Sequence, residues 1–285
     1  MIDFLKNIFV QPITAKPTFD FPEAAMEEIK KINRHTLQMV ENWIDEDAFK
    51  QSCFNYGVPD FIKTEINKPI GNGLTSEINK PIGNGLTYTD LIQFISQKHF
   101  EKINYFEIGV SVGKNFLQVV NFHNNGQFVG FDIEEINPVM EKKFNFVESE
   151  EWATKSKSIK KSPSSLKTYK FKNSVVKYLC ADVWDEQSWA KLQGQKFNMV
   201  FSDALHTPKA ILFEFEMLVK YNLLNDKFVI VWDDLVGKMQ NSFYKIIRKY
   251  DKQYNIKDIY LMNINGWVGQ NEAPHTVGII SNFKL

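Results

Sequence analysis

Cysteine is scarce in this 285-residue chain: Cys53 and Cys180 are the only two. They are too few for a disulfide framework and show no zinc-type spacing, which fits a reducing compartment. Charge of one sign is also missing. Lys and Arg number 34 and Asp and Glu number 34, so no global field draws the chain to nucleic acid or to an acidic membrane, and electrostatic recognition has to be local. A long apolar run is lacking too: Met1 to Val10 is interrupted by Asp3 and Lys6, has no basic leader and is too short to span a bilayer. The expectation is a soluble, cytoplasmic protein. Core material is plentiful, with 44% hydrophobic residues, enough for one large α/β domain with an extension or for two small domains.

The most informative stretch runs Tyr105-Phe-Glu-Ile-Gly-Val-Ser-Val-Gly-Lys-Asn115, followed one helix length later by Phe128-Val-Gly-Phe-Asp132. It reads as strand, glycine turn, helix and a second strand ending in an acid, the front half of a Rossmann-like nucleotide site. Gly109 and Gly113 carry no Cβ and let backbone approach a ligand, while amides opening the next helix can donate to it. Asp132 stands where a carboxylate accepts from ribose hydroxyls. A third dinucleotide glycine is missing: Ser111 sits between the two glycines and Lys114 follows them. That departure points to S-adenosylmethionine rather than NAD.

Along the chain, residues 1 to about 62 read as helical, with helices over Phe21 to Asn33 and Thr36 to Phe49. Glu65 to Thr75 is then repeated letter for letter as Glu77 to Thr87. Two short copies rich in Pro, Gly and Asn cannot build a repeat core and read as a duplication in a loop, either neutral or a lengthened lid. A helix over Tyr88 to Lys98 leads into strands at Asn104 to Gly109, Gln127 to Asp132, Val175 to Ala181, Phe197 to Ser202 and Lys227 to Trp232. These are short, β-rich and separated by helix-length connections, as in a doubly wound, mostly parallel sheet. Asp258 to Asn263 and Thr276 to Ser281 read as a terminal antiparallel pair joined by a glycine-rich turn at Gly266 to Gly269. The boundaries expected are an N-terminal helical cap with the duplicated loop over 1–87 and a nucleotide-binding domain over 88–285.

Glu107-Ile-Gly-x-x-x-Gly113, Asp132, Ala181-Asp182, Asp203-Ala-Leu-His206 and Trp232-Asp-Asp234 follow successive strands, at the edge where open α/β sheets bind ligands. With these residues the region 88–285 resembles the class I S-adenosylmethionine-dependent methyltransferases. Within them it is similar to the metal-dependent O-methyltransferases, which include catechol, macrocin and cephalosporin-tailoring enzymes. The resemblance implies that Glu107 and the Gly109–Ser111–Gly113 turn border the methionine part of the cofactor, that Asp132 holds the ribose and that Asp182 meets the adenine amine. Both ligand groups donate and a carboxylate accepts, so the chemistry agrees. Glu107 as a loop-facing acid and Asp182 as the N-cap of a helix over Trp184 to Leu192 are the structural alternatives.

Asp203, Asp233 and Asp234 end two neighbouring strands and offer hard oxygen ligands suited to Mg²⁺, which would relieve their mutual repulsion and acidify a bound hydroxyl. The alternative is that they cap helices, one of them starting near Val236. His206, three residues past Asp203, is the candidate general base; catechol-type relatives carry lysine there. The acceptor expected is a small hydroxylated molecule such as a sugar, natural product or catechol, with a homo-oligomer possible and neither nucleic acid nor membrane as a partner. Competing readings are a metal-independent methyltransferase, an NAD-linked oxidoreductase and a non-catalytic nucleotide-binding module. Lys155 to Lys172, with seven lysines and no acid, reads as a solvated loop or an anion contact. Cys180 reads as core, and Trp184, Trp189, Trp232 and Trp267 as packing or as a platform for a flat ring. His35, His99, His123 and His275 are assigned no role, because no carboxylate lies near them at ligand spacing.

Overall fold

A computed structural model describes residues 14–16, 22, 25, 27–29, 31, 32, 87–111, 113–123, 125–153, 163–265 and 274–285. Most of the expected N-terminal cap lies outside these residues. So do both duplicated segments except Thr87, the Gly266 to Gly269 turn, Trp267, Cys53, His35 and the lysine-rich stretch from 155 to 162.

Among the described residues, nine strands form one sheet in the order β3 (Asn145–Trp152), β4 (Ser164–Phe171), β5, β2, β1, β6, β7, β9 (Pro274–Ser281) and β8 (Asp258–Asn265). Five are parallel: β1 (Ile103–Ile108), β2 (Gly126–Asp132), β5 (Ser174–Cys180), β6 (Phe197–Ser202) and β7 (Leu224–Trp232). Their residues alternate between two cores. Tyr105 of β1 with Val229 and Val231 of β7 belongs to one cluster, and Phe106 and Ile108 with Phe228, Ile230 and Trp232 to the other. Burial on both faces explains why these strands are mostly apolar rather than alternately polar, with Glu107 of β1 a buried exception.

The first core is covered by α1 (Tyr88–His99) and α2 (Lys114–Phe122); α4 (Glu186–Ala190), α5 (Pro208–Lys220) and α6 (Lys238–Tyr254) cover the second, and a single turn, α3 (Pro138–Glu141), follows β2. Thr87 starts α1 with a reciprocal cap: its side chain accepts from the Asp90 amide, and Asp90 accepts from the Thr87 amide at 3.1 Å. The last residue of the duplicated segment is therefore the N-cap of the first helix of the described domain. Ile29, from the N-terminal region, is buried in the first core, and Lys16 bridges to Tyr260 at the outer edge of β8 (Asp258–Asn265).

The fold is thus the Rossmann-like, doubly wound sheet expected, and β9 (Pro274–Ser281) runs antiparallel to both β7 and β8, as the terminal pair predicts. One expectation and the two capping alternatives fail. Most of the described lysine-rich stretch is not a loop: Ser164–Phe171 is β4, antiparallel to β5, with Leu166 opposite Leu179, and β3 (Asn145–Trp152) pairs outside it. The lysines mask a strand whose Leu166 and Tyr169 pack inward, while Lys167 lies 3.3 Å from Glu141 and 3.5 Å from Glu135. The helix expected over Trp184 to Leu192 is only α4, and Asp185 rather than Asp182 caps it. The helix expected near Val236 begins at Lys238 behind Gly237, so neither Asp233 nor Asp234 is its cap; Thr207, not Asp203, caps α5.

Candidate functional site

Backbone hydrogen bonds at the carboxyl edge of the sheet put the candidate residues in a row. Asp132 accepts from the Ala181 amide at 2.7 Å, Gly109 donates to Phe131 at 2.8 Å, Asp203 to Ile108 at 2.7 Å and Asp233 to Ser202 at 3.0 Å. Each bond extends a parallel strand pair by one step, so strand order alone delivers the residues after β5, β2, β1, β6 and β7 to one rim.

The glycine turn meets its neighbours directly. Gly109 has φ +87°, and a Cβ there would collide with the Asp203 carbonyl and stand 2.5 Å from Ala204 Cα. Gly113 has φ +86° and faces the Met140 sulfur. The close approach that requires these glycines is therefore to protein. Asp132 holds the turn: its Oδ2 accepts from the amides of Val110 and Ser111, both at 2.7 Å, and its Oδ1 from Glu134 at 2.9 Å. Burial raises its carboxyl, and these amide bonds oppose the rise. Ser111 is exposed, with φ 51°.

Glu107, only 1% exposed, accepts from Tyr105 Oη at 2.6 Å and from Asn115 Nδ2 at 2.9 Å. Burial holds its carboxyl well above the usual range. It lies inside the strand, which removes the loop-facing alternative. Asp182 is buried and accepts from the Trp184 amide at 3.0 Å; Trp184, 41% exposed, stands 5.0 Å from Phe213 ring to ring. Trp189 and Trp232 are fully buried packing, as is Cys180.

The acids after β6 and β7 are joined by two histidines. His206 Nε2 is 2.9 Å from Asp203 Oδ1, and its Nδ1 is 3.1 Å from Asp234 Oδ2. His275 Nδ1 is 2.7 Å from Asp233 Oδ2 and 3.3 Å from Asp234 Oδ1. Burial pushes Asp203 up to about 6, with repulsion from Asp233 and Asp234 adding to it and the His206 bond opposing it. Both imidazoles are raised, His206 foremost by its bond to Asp203 and His275 by its bond to Asp233. Asp234 has φ 50°, an uncommon backbone conformation of the kind that concentrates at functional sites. Tyr88 closes the cluster from α1, its ring edge-on to His275 at 6.0 Å.

The structure places Asp203, His206, Asp233 and Asp234 side by side, and it overturns the reading that His275 lacks a carboxylate partner: Asp233 and Asp234 lie 42 and 41 residues away in sequence. β9 runs antiparallel to β7, pairing Trp232 with Gly278, and the Leu235 amide donates to Thr276 at 2.8 Å. That register sets His275 beside Asp233 and Asp234. Among the described residues, the one group of three donors within 4.8 Å of one another is Asp233, Asp234 and His275. Asp203 meets that group through His206.

No protein-family model matches the chain, and no curated protein matches it in sequence. Solved structures with a similar fold include TomG, an O-methyltransferase from Streptomyces achromogenes involved in tomaymycin synthesis (10% identity over 81% of this chain and 97% of that one, TM-score 0.46). The plantazolicin methyltransferase BpumL is 13% identical over 91% of this chain and all of its own, with TM-score 0.45. MycE, from the mycinamycin pathway, is 14% identical over 51% of this chain, with TM-score 0.35, and the match spans only 30% of the MycE chain. At such identities and scores the likeness carries no activity over to this chain's own residues.

Those residues fit a divalent cation. Asp233 is 2% exposed, and its Oδ1 is buried with no hydrogen-bond donor among the described residues. An orphaned carboxylate oxygen beside a second acid is costly unless a cation meets it. No helix among the described residues is long and apolar enough to cross a membrane.

Proposed function

We propose that the chain is an S-adenosylmethionine-dependent methyltransferase that transfers the methyl group to a hydroxyl oxygen of a small acceptor, with a divalent cation at Asp203, Asp233 and Asp234. The observation that carries the reading is the contact between Gly109 and the Asp203–Ala204 backbone. It makes the glycine turn and the acid cluster adjoining parts of one rim, so a cofactor held at the turn and an acceptor held at the acids can meet.

Each residue has a task in this reading. Glu107 and the Gly109–Ser111–Gly113 turn border the methionine part, Asp132 holds the ribose edge and keeps the turn in place, and Asp182 lies beside the adenine. Trp184 is exposed near Asp182 and offers a flat apolar face. His206, held by Asp203 through Nε2, would accept the acceptor's proton at Nδ1, the nitrogen that Asp234 would release in binding the cation. A bound divalent ion supplies a positive charge that lowers the pKa of an adjacent hydroxyl. The transfer is a displacement at the sulfonium methyl: an oxygen–carbon bond forms, the carbon–sulfur bond breaks and S-adenosylhomocysteine leaves. No covalent enzyme intermediate is needed; alignment alone can supply about 7–11 kcal/mol. Leu205 and Val236, exposed apolar neighbours of the acids in sequence, fit an acceptor with an apolar face. Residues 1–87 would form the cap over the acceptor.

The His206–Asp203 pair could also deprotonate an acceptor without a metal, which is the second reading. Incubation of the full chain with methyl-labelled S-adenosylmethionine and a panel of sugars, catechols and hydroxylated natural products tests both. Label transfer that a chelator abolishes and a divalent ion restores supports the metal-dependent reading. Transfer unaffected by chelation supports the second, and no transfer with cofactor bound contradicts both.

A further inference from the structure

The oxygen-only ligand set described above leaves out the nitrogen closest to it. Nδ1 of His275 stands 2.7 Å from Asp233 Oδ2 and 3.3 Å from Asp234 Oδ1. These are close to the edge lengths of a coordination polyhedron whose metal–ligand bonds are about 2.0–2.2 Å. Nδ1 can carry one hydrogen, directed at one oxygen at a time, whereas an ion in its place would serve all three atoms. The same Asp233 carboxylate holds the buried Oδ1 that has no donor. A cation bound at this carboxylate satisfies what the protein alone does not.

We propose that His275 is itself a metal ligand, making with Asp233 and Asp234 a mixed nitrogen and oxygen site that takes a first-row transition ion such as Mn²⁺ in preference to Mg²⁺. Imidazole suits transition ions, whereas Mg²⁺ favours sites made only of oxygen. The position of His275 is built into the fold: antiparallel pairing of β9 with β7, the Leu235 to Thr276 hydrogen bond and the edge of the Tyr88 ring all fix it. His206 contacts Asp203 through Nε2 and the second oxygen of Asp234 through Nδ1, and so stands outside the group of three. The inference rests on the metal half of the proposed function and adds a ligand and an ion class to it.

Pulsed electron paramagnetic resonance of the full chain loaded with Mn²⁺ tests this without any turnover. Wild type and His206→Gln should both show ¹⁴N modulation from a directly bound imidazole, and His275→Gln should lose it. Labelling all histidines with ¹⁵N in the His206→Gln background should replace that modulation, which assigns it to a histidine nitrogen, and His275→Asn gives a second removal of the ligand should His275→Gln not fold. In competition titrations Mn²⁺ should bind at least about tenfold more tightly than Mg²⁺, with a loss of about 10–100-fold for His275→Gln. Bound Mn²⁺ without nitrogen modulation, or modulation that persists in His275→Gln, overturns the inference and leaves the metal-dependent reading standing. Failure of wild type to bind Mn²⁺ or Mg²⁺ removes both.

Discussion

Replacing Gly109 by alanine should damage the protein twice, and the two costs can be separated. Its φ of +87° is a left-handed conformation that costs an L-residue about 1–2 kcal/mol. The new Cβ would also strike the backbone of Asp203 and Ala204, which cannot swing aside as a side-chain tip can. Overpacking of that kind costs about 1–3 kcal/mol, for a sum of about 2–5 kcal/mol. At roughly 2–4 °C per kcal/mol for a domain of this size, Tm should fall by about 4–20 °C. Gly194→Ala is the control, because Gly194 has nearly the same φ, +86°, but nothing within 4 Å of its would-be Cβ. It should show the conformational cost alone. Thermal unfolding by circular dichroism gives both values, and calorimetry gives S-adenosylmethionine affinity, which only Gly109→Ala should weaken. Equal Tm shifts for the two variants, with cofactor affinity intact, would refute the claim that the glycine turn and the acid cluster are in forced contact.

Other consequences are independent of that contact. His206→Gln should lower turnover by about 100-fold or more while leaving cofactor affinity within about twofold, as expected of a proton acceptor rather than a binding residue. A fall in affinity equal to the fall in rate would contradict this role. Glu214 of α5 accepts from Ser202 Oγ at 2.6 Å, and burial pushes its carboxyl up to about 8 from an ordinary 4.5. The folded state then holds a proton that the unfolded state releases, so this contribution to stability is complete below about 4.5 and lost as pH rises through 8. Glu214→Gln should therefore gain in unfolding free energy relative to wild type between pH 5 and pH 8.5, read from urea titrations at each pH. An unchanged difference between the two proteins would show that the carboxyl is ionised in the fold.

The parallel core and the rim are legible in the sequence because both rest on local pattern. β1 and the second half of β7 are mostly apolar and buried on both faces, and in an open α/β sheet the residues at or just past each strand end fall on the ligand-bearing edge, so Asp132, Asp182, Asp203 and Asp233 could be expected there without a structure. Two features were hidden for different physical reasons. β4 carries lysines among its inward-facing Leu166 and Tyr169, and its charge resembles that of a loop. His275 acquires its carboxylates only through the antiparallel return of β9, a pairing that depends on sheet topology rather than on spacing along the chain. The glycine turn is partly legible: Gly109 and Gly113 announce a close approach, but that their neighbours are Asp203 and Met140 follows only from the fold.

Calorimetric titration of the full chain with S-adenosylmethionine and, separately, NAD⁺ tests the central claim most directly. The account predicts saturable binding of S-adenosylmethionine alone, lost in Asp132→Ala, where both the proposed ribose contact and the carboxylate holding the Val110 and Ser111 amides disappear. Binding of NAD⁺ in its place, or S-adenosylmethionine affinity unchanged in Asp132→Ala, would contradict it.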